Sequence, residues 1–557
     1  MKHLLRKLLL FLAALILSAS FLPESARADS EGILGDTRFP DMAFRQALDE
    51  LYGHNVNLQA IKELDIRDMG IHDLTGIQLC SNLEDLDCSG NLLTALNVNQ
   101  CQKLWRLDCS DNPLLTQLNV AECGALKELY CSRTPLNDLT LPVAKDTLYK
   151  LECAETALTS LDASGFTALE ELKCDGTEDD ASPLVNLDVS DCSSLITLIC
   201  SNTCLTGLDV NTCSALEHLI VNNARLSTLS INNLPALRFV ECAGNEPMSS
   251  LSITACSALD GVDCSGCRLA NLQIGACSEF WDLNCADNLL VTLDIASCAA
   301  LGNLQCANNR LTALPVTNLP NLVDLDCSNN LITALDFTGC DSLQDLNCSN
   351  NRITALNTAG CEFLSKVNCA NNRLSSLNLA DFKNLTELYC SGNLLTSLSV
   401  TGCEELTHLH AHKNSLSKLD IDRTPFEEEL IESGPSTELK DGAVVKAWYS
   451  IFGPGNPLYF DSTTDIYDSE AKLYQGVVIN PPAPTLILPA DLREIGPEAF
   501  ENIDAVAVLI PENVEFIDGD PFQGSSVWYV YGVPNTAAQT FAAANGYVFV
   551  EINSAGN

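Results

Sequence analysis

Leu83-Glu-Asp-Leu86-Asp-Cys88-Ser-Gly-Asn91-Leu-Leu93-Thr-Ala-Leu96-Asn-Val98-Asn-Gln-Cys101 decides the fold. Leu86 and Cys88 alternate with Asp85, Asp87 and Ser89, so a short strand turns Leu and Cys inward and its charged neighbours outward. Asn91 turns the chain, and a buried amide there needs backbone partners in the adjoining loop. Leu93, Leu96 and Val98 supply apolar side chains for the return. One such unit cannot bury its apolar face alone, so it must stack on copies of itself.

Those copies are present. The frame returns from Ile66 to Ala411 about every 21 residues. The unit between Cys174 and Cys200 is longer and inserts an acidic loop, Asp175 to Ser182. Thr134, Thr156, Thr177 and Thr203 stand where the frame has Asn, and Met69, Ala224 and Cys267 do so once each. The frame resembles the leucine-rich repeat, L-x-x-L-x-L-x-x-N-x-L, with Cys in the third apolar position. It is similar to the Cys-containing, internalin-like repeats of bacterial surface proteins over roughly residues 60 to 421. The resemblance implies an α/β solenoid: a curved array with parallel strands on one face, a helical N-terminal cap and a small, mostly-β C-terminal region.

The ends fit that plan. Lys2, Arg6 and Lys7 precede an apolar run, Leu8 to Leu17, and Ala26-Arg27-Ala28 follows, so residues 1–28 read as an export signal. No later apolar run approaches about 18 residues, so no membrane span is expected. Residues 29–59 hold the cap: Phe39, Phe44, Leu48 and Leu51 recur at near-helical spacing, with Asp41 placed to cap the helix. The array is assigned to 60–426, a linker and β-rich cap to 427–480. In 481–557 Leu488-Pro489 matches Ile510-Pro511, Ile495 matches Ile517 and Phe500 matches Phe522, each about 22 residues on. These repeats resemble the BspA-like repeats of bacterial surface antigens, and the ending after Thr536 resembles the short helix and strand that close them. The last residues carry no sorting motif, so release, or loose retention at the cell surface, is expected.

The chain has 30 basic and 73 acidic residues, a net charge of −43. Removing the signal takes Lys2, Arg6, Lys7 and Arg27 but only Glu24, leaving the rest more acidic still. Such a charge repels nucleic acid and anionic membranes and favours basic partners or cations. The 27 cysteines of an exported chain suggest disulfides. Their spacing argues otherwise. One series runs from Cys88 to Cys390 and a second from Cys80 to Cys403, and apolar residues replace them in frame: Ile66 and Val221 in the first, Leu234, Leu319 and Phe382 in the second. Free Cys behaves there as a small hydrophobe.

Three constellations are candidates for binding. The outward strand positions, Asp85, Asp87, Asp324 and Asp326 among them, form a mostly acidic face opposed only by Arg106, Lys150, Lys173 and Lys366. That face is either a binding surface or a solvated sheet kept soluble by charge. Ile199, Ile220 and Phe239, with His218 among them, bring apolar side chains to neighbouring strands. They are either a contact patch or a local irregularity covered by the acidic loop. His408, His410 and His412 alternate on one strand, where two imidazoles can share a zinc or similar ion with help from Glu387 or Tyr389. The plain alternative is an exposed polar strand on the last full repeat. No Ser/His/Asp arrangement, phosphate loop or HExxH motif is present, so neither enzyme activity nor a cofactor is expected. The reading is an extracellular binding or adhesion module for a protein on a host or neighbouring-cell surface. The alternatives are a structural surface component without a ligand and a weak metal-binding exported protein.

Overall fold

Leu86 sits at the centre of a three-residue strand, Asp85–Asp87, with its side chain fully buried. Its neighbours in the sheet are the middle residues of the strands one frame before and one frame after: Leu64 pairs with Leu86, and Leu86 with Leu107, both in parallel. In this computed structural model the described residues are 33–275, 277–411, 413–416, 418–420 and 423–425. Beyond these they are 458–459, 465–467, 473–474, 485–487, 494–495, 507–510, 512, 514–517, 522, 527 and 529–551. The expected export signal lies outside them.

The chain divides into two units, Met1–Leu290 and Val291–Asn557. In the first, parallel strands follow one another in register from Glu63–Asp65 to Asp282–Asn284. In the second, the same pattern runs from Asn303–Gln305 to His408–His410, and Leu458–Tyr459 adds a further parallel strand beyond it. The three-residue length follows from the frame, because only the Leu between two outward side chains and the Cys after it need the pleat. The return also forms short parallel strands, such as Ala95–Asn97 beside Gln117–Asn119, since Leu96 and Val98 keep a period of two.

Asn91 satisfies the turn as its chemistry requires. Its Nδ2 donates to Ile66 O at 2.8 Å and Cys88 O at 2.9 Å, while its Oδ1 accepts from Met69 N at 3.1 Å and Ile71 N at 3.0 Å. In the longer unit the structure corrects the sequence reading. Thr177 does not take the Asn slot: its hydroxyl accepts from Asp180 N inside the insertion, and Ser182, pairing with Thr203 as an isolated bridge, is the buried residue. The inserted residues displace the frame by their own length, which the Cys-to-Thr spacing conceals.

None of the 27 cysteines is joined in a disulfide, and all but Cys204 are buried. Burial raises ladder thiols such as Cys88 and Cys131, and Cys153 to about 12, so the nucleophilic thiolate is suppressed there. The second series does more than fill space. Cys123 donates to Val98 O at 3.3 Å, Cys213 to Val189 O at 3.4 Å and Cys403 to Leu379 O at 3.1 Å, each a carbonyl of the preceding repeat.

A helix, Met42–Tyr52, covers the first repeat. One carboxylate oxygen of Asp41 accepts from Phe44 N at 3.1 Å, and the other from His72 N at 2.7 Å and Asp73 N at 3.1 Å. The capping residue thus fastens the helix to the array. In the second unit, Thr485–Ile487, Ala507–Leu509, Tyr529–Gly532 and Val548–Glu551 form a parallel sheet, and Ile495 pairs with Ile517. The helix Ala537–Asn545 contributes Phe541 to the core with Val508, Phe522 and Val530. Phe500 lies outside the described residues.

Candidate binding face

The outward residues of the first unit's main sheet fall on two register lines. One runs Asp85, Arg106, Glu128, Lys150, Glu171, Thr197, His218, Phe239 and Gly261. The other runs Asp87, Asp108, Tyr130, Glu152, Lys173, Ile199, Ile220, Glu241 and Asp263. Because register repeats once per turn, side chains a frame apart in sequence become direct neighbours.

From Asp85 to Lys173 the face is charge-paired. Arg106 reaches Asp85 at 3.1 Å, Asp108 at 3.4 Å and Glu128 at 3.7 Å. Lys150 lies 3.1 Å from Glu152 and 3.0 Å from Glu171, and Lys173 contacts the same two carboxylates. Burial opposes the charge on Glu171, but hydrogen bonds from Lys173 and Lys150 outweigh it and hold the carboxyl below its ordinary range. Asp108 and Asp175 go the other way, raised by burial. Tyr130 lies between the two cations, 5.3 Å from the Arg106 guanidinium and 5.6 Å from the Lys150 ammonium, centroid to charge. Burial, then its hydrogen bond to Glu128, pushes its hydroxyl up to about 12. Tyr149 also hydrogen-bonds Glu128. These tyrosines escaped the sequence reading; for Tyr130 the available signal was an aromatic in an outward strand position, on the strand between those of Arg106 and Lys150.

From Thr197 to Phe239 the character changes. Ile199 and Ile220 are register partners, as are His218 and Phe239, and all four are half-buried. The His218 and Phe239 rings stack at 5.3 Å. On the far side Gly261 is buried, and a Cβ there would meet the Phe239 ring at 3.1 Å, so the glycine makes room for the aromatic. Arg238 lies over the same ring at 5.3 Å while pairing with Asp260 at 3.1 Å. The structure therefore brings Ile199, His218, Ile220 and Phe239 together.

It treats the other predicted residues differently. Asp85 is engaged by Arg106. Asp87 is only 7% exposed and accepts from Ser89 N at 3.1 Å and Ser89 Oγ at 2.6 Å, so it presents little to a ligand. Asp324 and Asp326 belong to the second unit; Gln305 donates to Asp324 at 3.3 Å, and Ser328 N and the Asn347 amide donate to Asp326 at 2.8 and 3.0 Å. His408 is hydrogen-bonded through Nδ1 to Thr407 Oγ1 at 3.0 Å, and the His410 ring lies 4.7 Å from that of Tyr389. His412 lies outside the described residues. Among the described residues no group of three His, Cys, Asp or Glu side chains is placed to hold a metal ion, and no helix is long and apolar enough to cross a membrane.

Parallel strands a frame apart, a buried Leu or Val in each with Cys or another apolar residue after it, and in many turns an Asn that bonds the neighbouring turn define the architecture. The chain has the leucine-rich-repeat fold. No family model and no curated protein matches it. Solved leucine-rich-repeat structures do. The functional domain of InlJ from Listeria monocytogenes, described as including a cysteine ladder, is 24% identical, with 71% of this chain and 78% of that one covered and a TM-score of 0.42. A leucine-rich-repeat protein of Leptospira interrogans is 20% identical over 60% of this chain and 91% of its own, TM-score 0.41. YopM from Yersinia enterocolitica is 22% identical over 74% and 92%, TM-score 0.39.

Proposed function

We propose that this leucine-rich-repeat chain is an exported protein-binding module that holds a protein partner outside the cell through the first unit's sheet face, between Thr197 and Glu241. The carrying observation is the in-register cluster of Ile199, His218, Ile220 and Phe239, half-exposed on a face otherwise lined with charge. Strand residues that face water are ordinarily polar, and an apolar cluster left accessible on a rigid sheet is the usual core of a contact. Backbone pairing on both sides fixes each side chain, so binding would cost little ordering of the face. Adhesion to a host or neighbouring-cell surface follows if the partner is itself a surface protein. Residues 481–557 are, on the BspA-like reading, a second repeat region with a closing helix and strand after Thr536.

The test is capture of surface proteins on immobilised chain, compared with the triple variant Ile199→Asp, Ile220→Asp, Phe239→Ala. Circular dichroism establishes that the variant folds. The expected result is a partner retained by the natural chain and lost by the variant. Equal retention by both would move binding off this face.

A further inference from the structure

The face does not end at Phe239. Beyond it, on the same sheet, stand Glu241 and Asp263, which are register partners on adjacent strands. Like charges directly opposite one another across a sheet repel. In the stretch from Asp85 to Lys173 every such carboxylate cluster is threaded by Arg106, Lys150 or Lys173. From Thr197 to Asn284 the outward positions are Thr197, Ile199, His218, Ile220, Phe239, Glu241, Gly261, Asp263, Asp282 and Asn284, with no Lys or Arg. The donors to Glu241 and Asp263 are neutral: the Asn222 amide at 3.2 Å, and Ser265 N and Oγ at 2.9 and 2.7 Å. Arg238, the cation nearest in sequence, lies over the Phe239 ring and pairs with Asp260, with no ion pair to Glu241 or Asp263 among the described residues.

Building on the proposed binding role of this face, we propose that its partner is an extended protein segment carrying a basic side chain two residues from an aromatic or aliphatic one. The cation lies over Glu241 and Asp263, and the apolar side chain lies on Phe239 and Ile220. The spacing follows from the strand. Phe239 and Glu241 are two residues apart on one strand, roughly 6.5–7 Å at their Cα atoms, and an extended segment sets alternate side chains at the same interval. The cation supplies the counter-charge that the sheet itself provides elsewhere and omits here.

The probe is the peptide Lys-Ser-Phe-Ser-Lys-Ser-Phe, fluorescently labelled, titrated against the full chain. Its controls replace Phe by Ser or Lys by Glu. The expected result is binding at least about tenfold tighter than either control, weakening as salt rises from about 0.05 to about 0.5 M. The double variant Glu241→Gln, Asp263→Asn should lose about tenfold and most of the salt dependence, and Phe239→Ser should lose about as much without flattening it. No binding, or equal binding of all three peptides, overturns the proposal. If the Lys and Glu versions bind alike and both need Phe239, the cation site is overturned while the apolar contact stands. If light scattering shows a dimer that Phe239→Asp dissolves, a second copy occupies the face, and the proposal is again overturned.

Discussion

From Asn330 to Asn414 the turns are tied to their predecessors by buried or half-buried amides; from Thr134 to Ala224 the same slot holds Thr134, Thr156, Ser182, Thr203 and Ala224. Asn351 shows the first arrangement, donating to Cys327 O at 2.9 Å and Cys348 O at 3.2 Å and accepting from Ile332 N at 2.9 Å. Thr156 shows the second, with one hydroxyl bond to Cys153 O, inside its own repeat, at 3.0 Å. The threonine stretch makes its links elsewhere. Ser132 and Ser201 accept from Ala154 N and Asn222 N of the following repeat, and Arg106, Lys150 and Lys173 cross between strands on the outer face. It also contains the acidic insertion and most of the apolar cluster. One fold thus supports two kinds of turn: a regular one fastened from inside, and a looser one fastened from the surface that carries the candidate face.

Asn351→Ala leaves two buried carbonyls and one amide without their partner, at about 1–3 kcal/mol for each group, so a loss of about 4 kcal/mol is expected in denaturant titration. Thr156→Ala removes one hydroxyl bond and should cost about 1 kcal/mol. Equal losses would mean that the amide slot does not distinguish the regions.

A smaller effect comes from acid. The folded pKa of Glu171 is depressed, so its contribution is present above the ordinary carboxylate range and is lost as pH falls through the folded value. The pair is partly exposed, so the expected change is about 1 kcal/mol or less, confined to pH below about 4.5. Asp108 and Asp175, raised by burial, oppose the trend, since protonation relieves them. Glu171→Gln should therefore flatten the acid limb of the stability curve; an unchanged limb would remove the Lys150–Glu171–Lys173 network from the account.

The smallest expected effect is chemical. Under native conditions an alkylating reagent should modify Cys204, which is half-exposed, ahead of the buried ladder thiols. Peptide mapping that found Cys131 or Cys327 labelled first would contradict the packing described.

Much of this was readable in the sequence, because the frame is local. Leu86, Cys88 and Asn91 announce strand, core and turn within a few residues, and Ile199, Ile220 and Phe239 stand out against a polar background. What stayed hidden depends on stacking. Only register makes Glu128 a neighbour of Arg106 and Lys150, or shows that Asp87 is buried. The exchange of Thr177 for Ser182 was concealed because the insertion leaves the residue three after Cys174 a threonine, as in the repeats around it. The second-series thiols read as hydrophobes because their acceptors lie in the preceding repeat.

Native-state hydrogen exchange along the full chain tests the difference between the two regions most directly. Backbone amides of the main-sheet strands from Glu128–Tyr130 to His218–Ile220 should open at lower free energy than those from Asp324–Asp326 to Glu387–Tyr389, with the boundary falling near the return of Asn at Asn245. Uniform protection across both sets of strands, or greater protection in the threonine stretch, would contradict it.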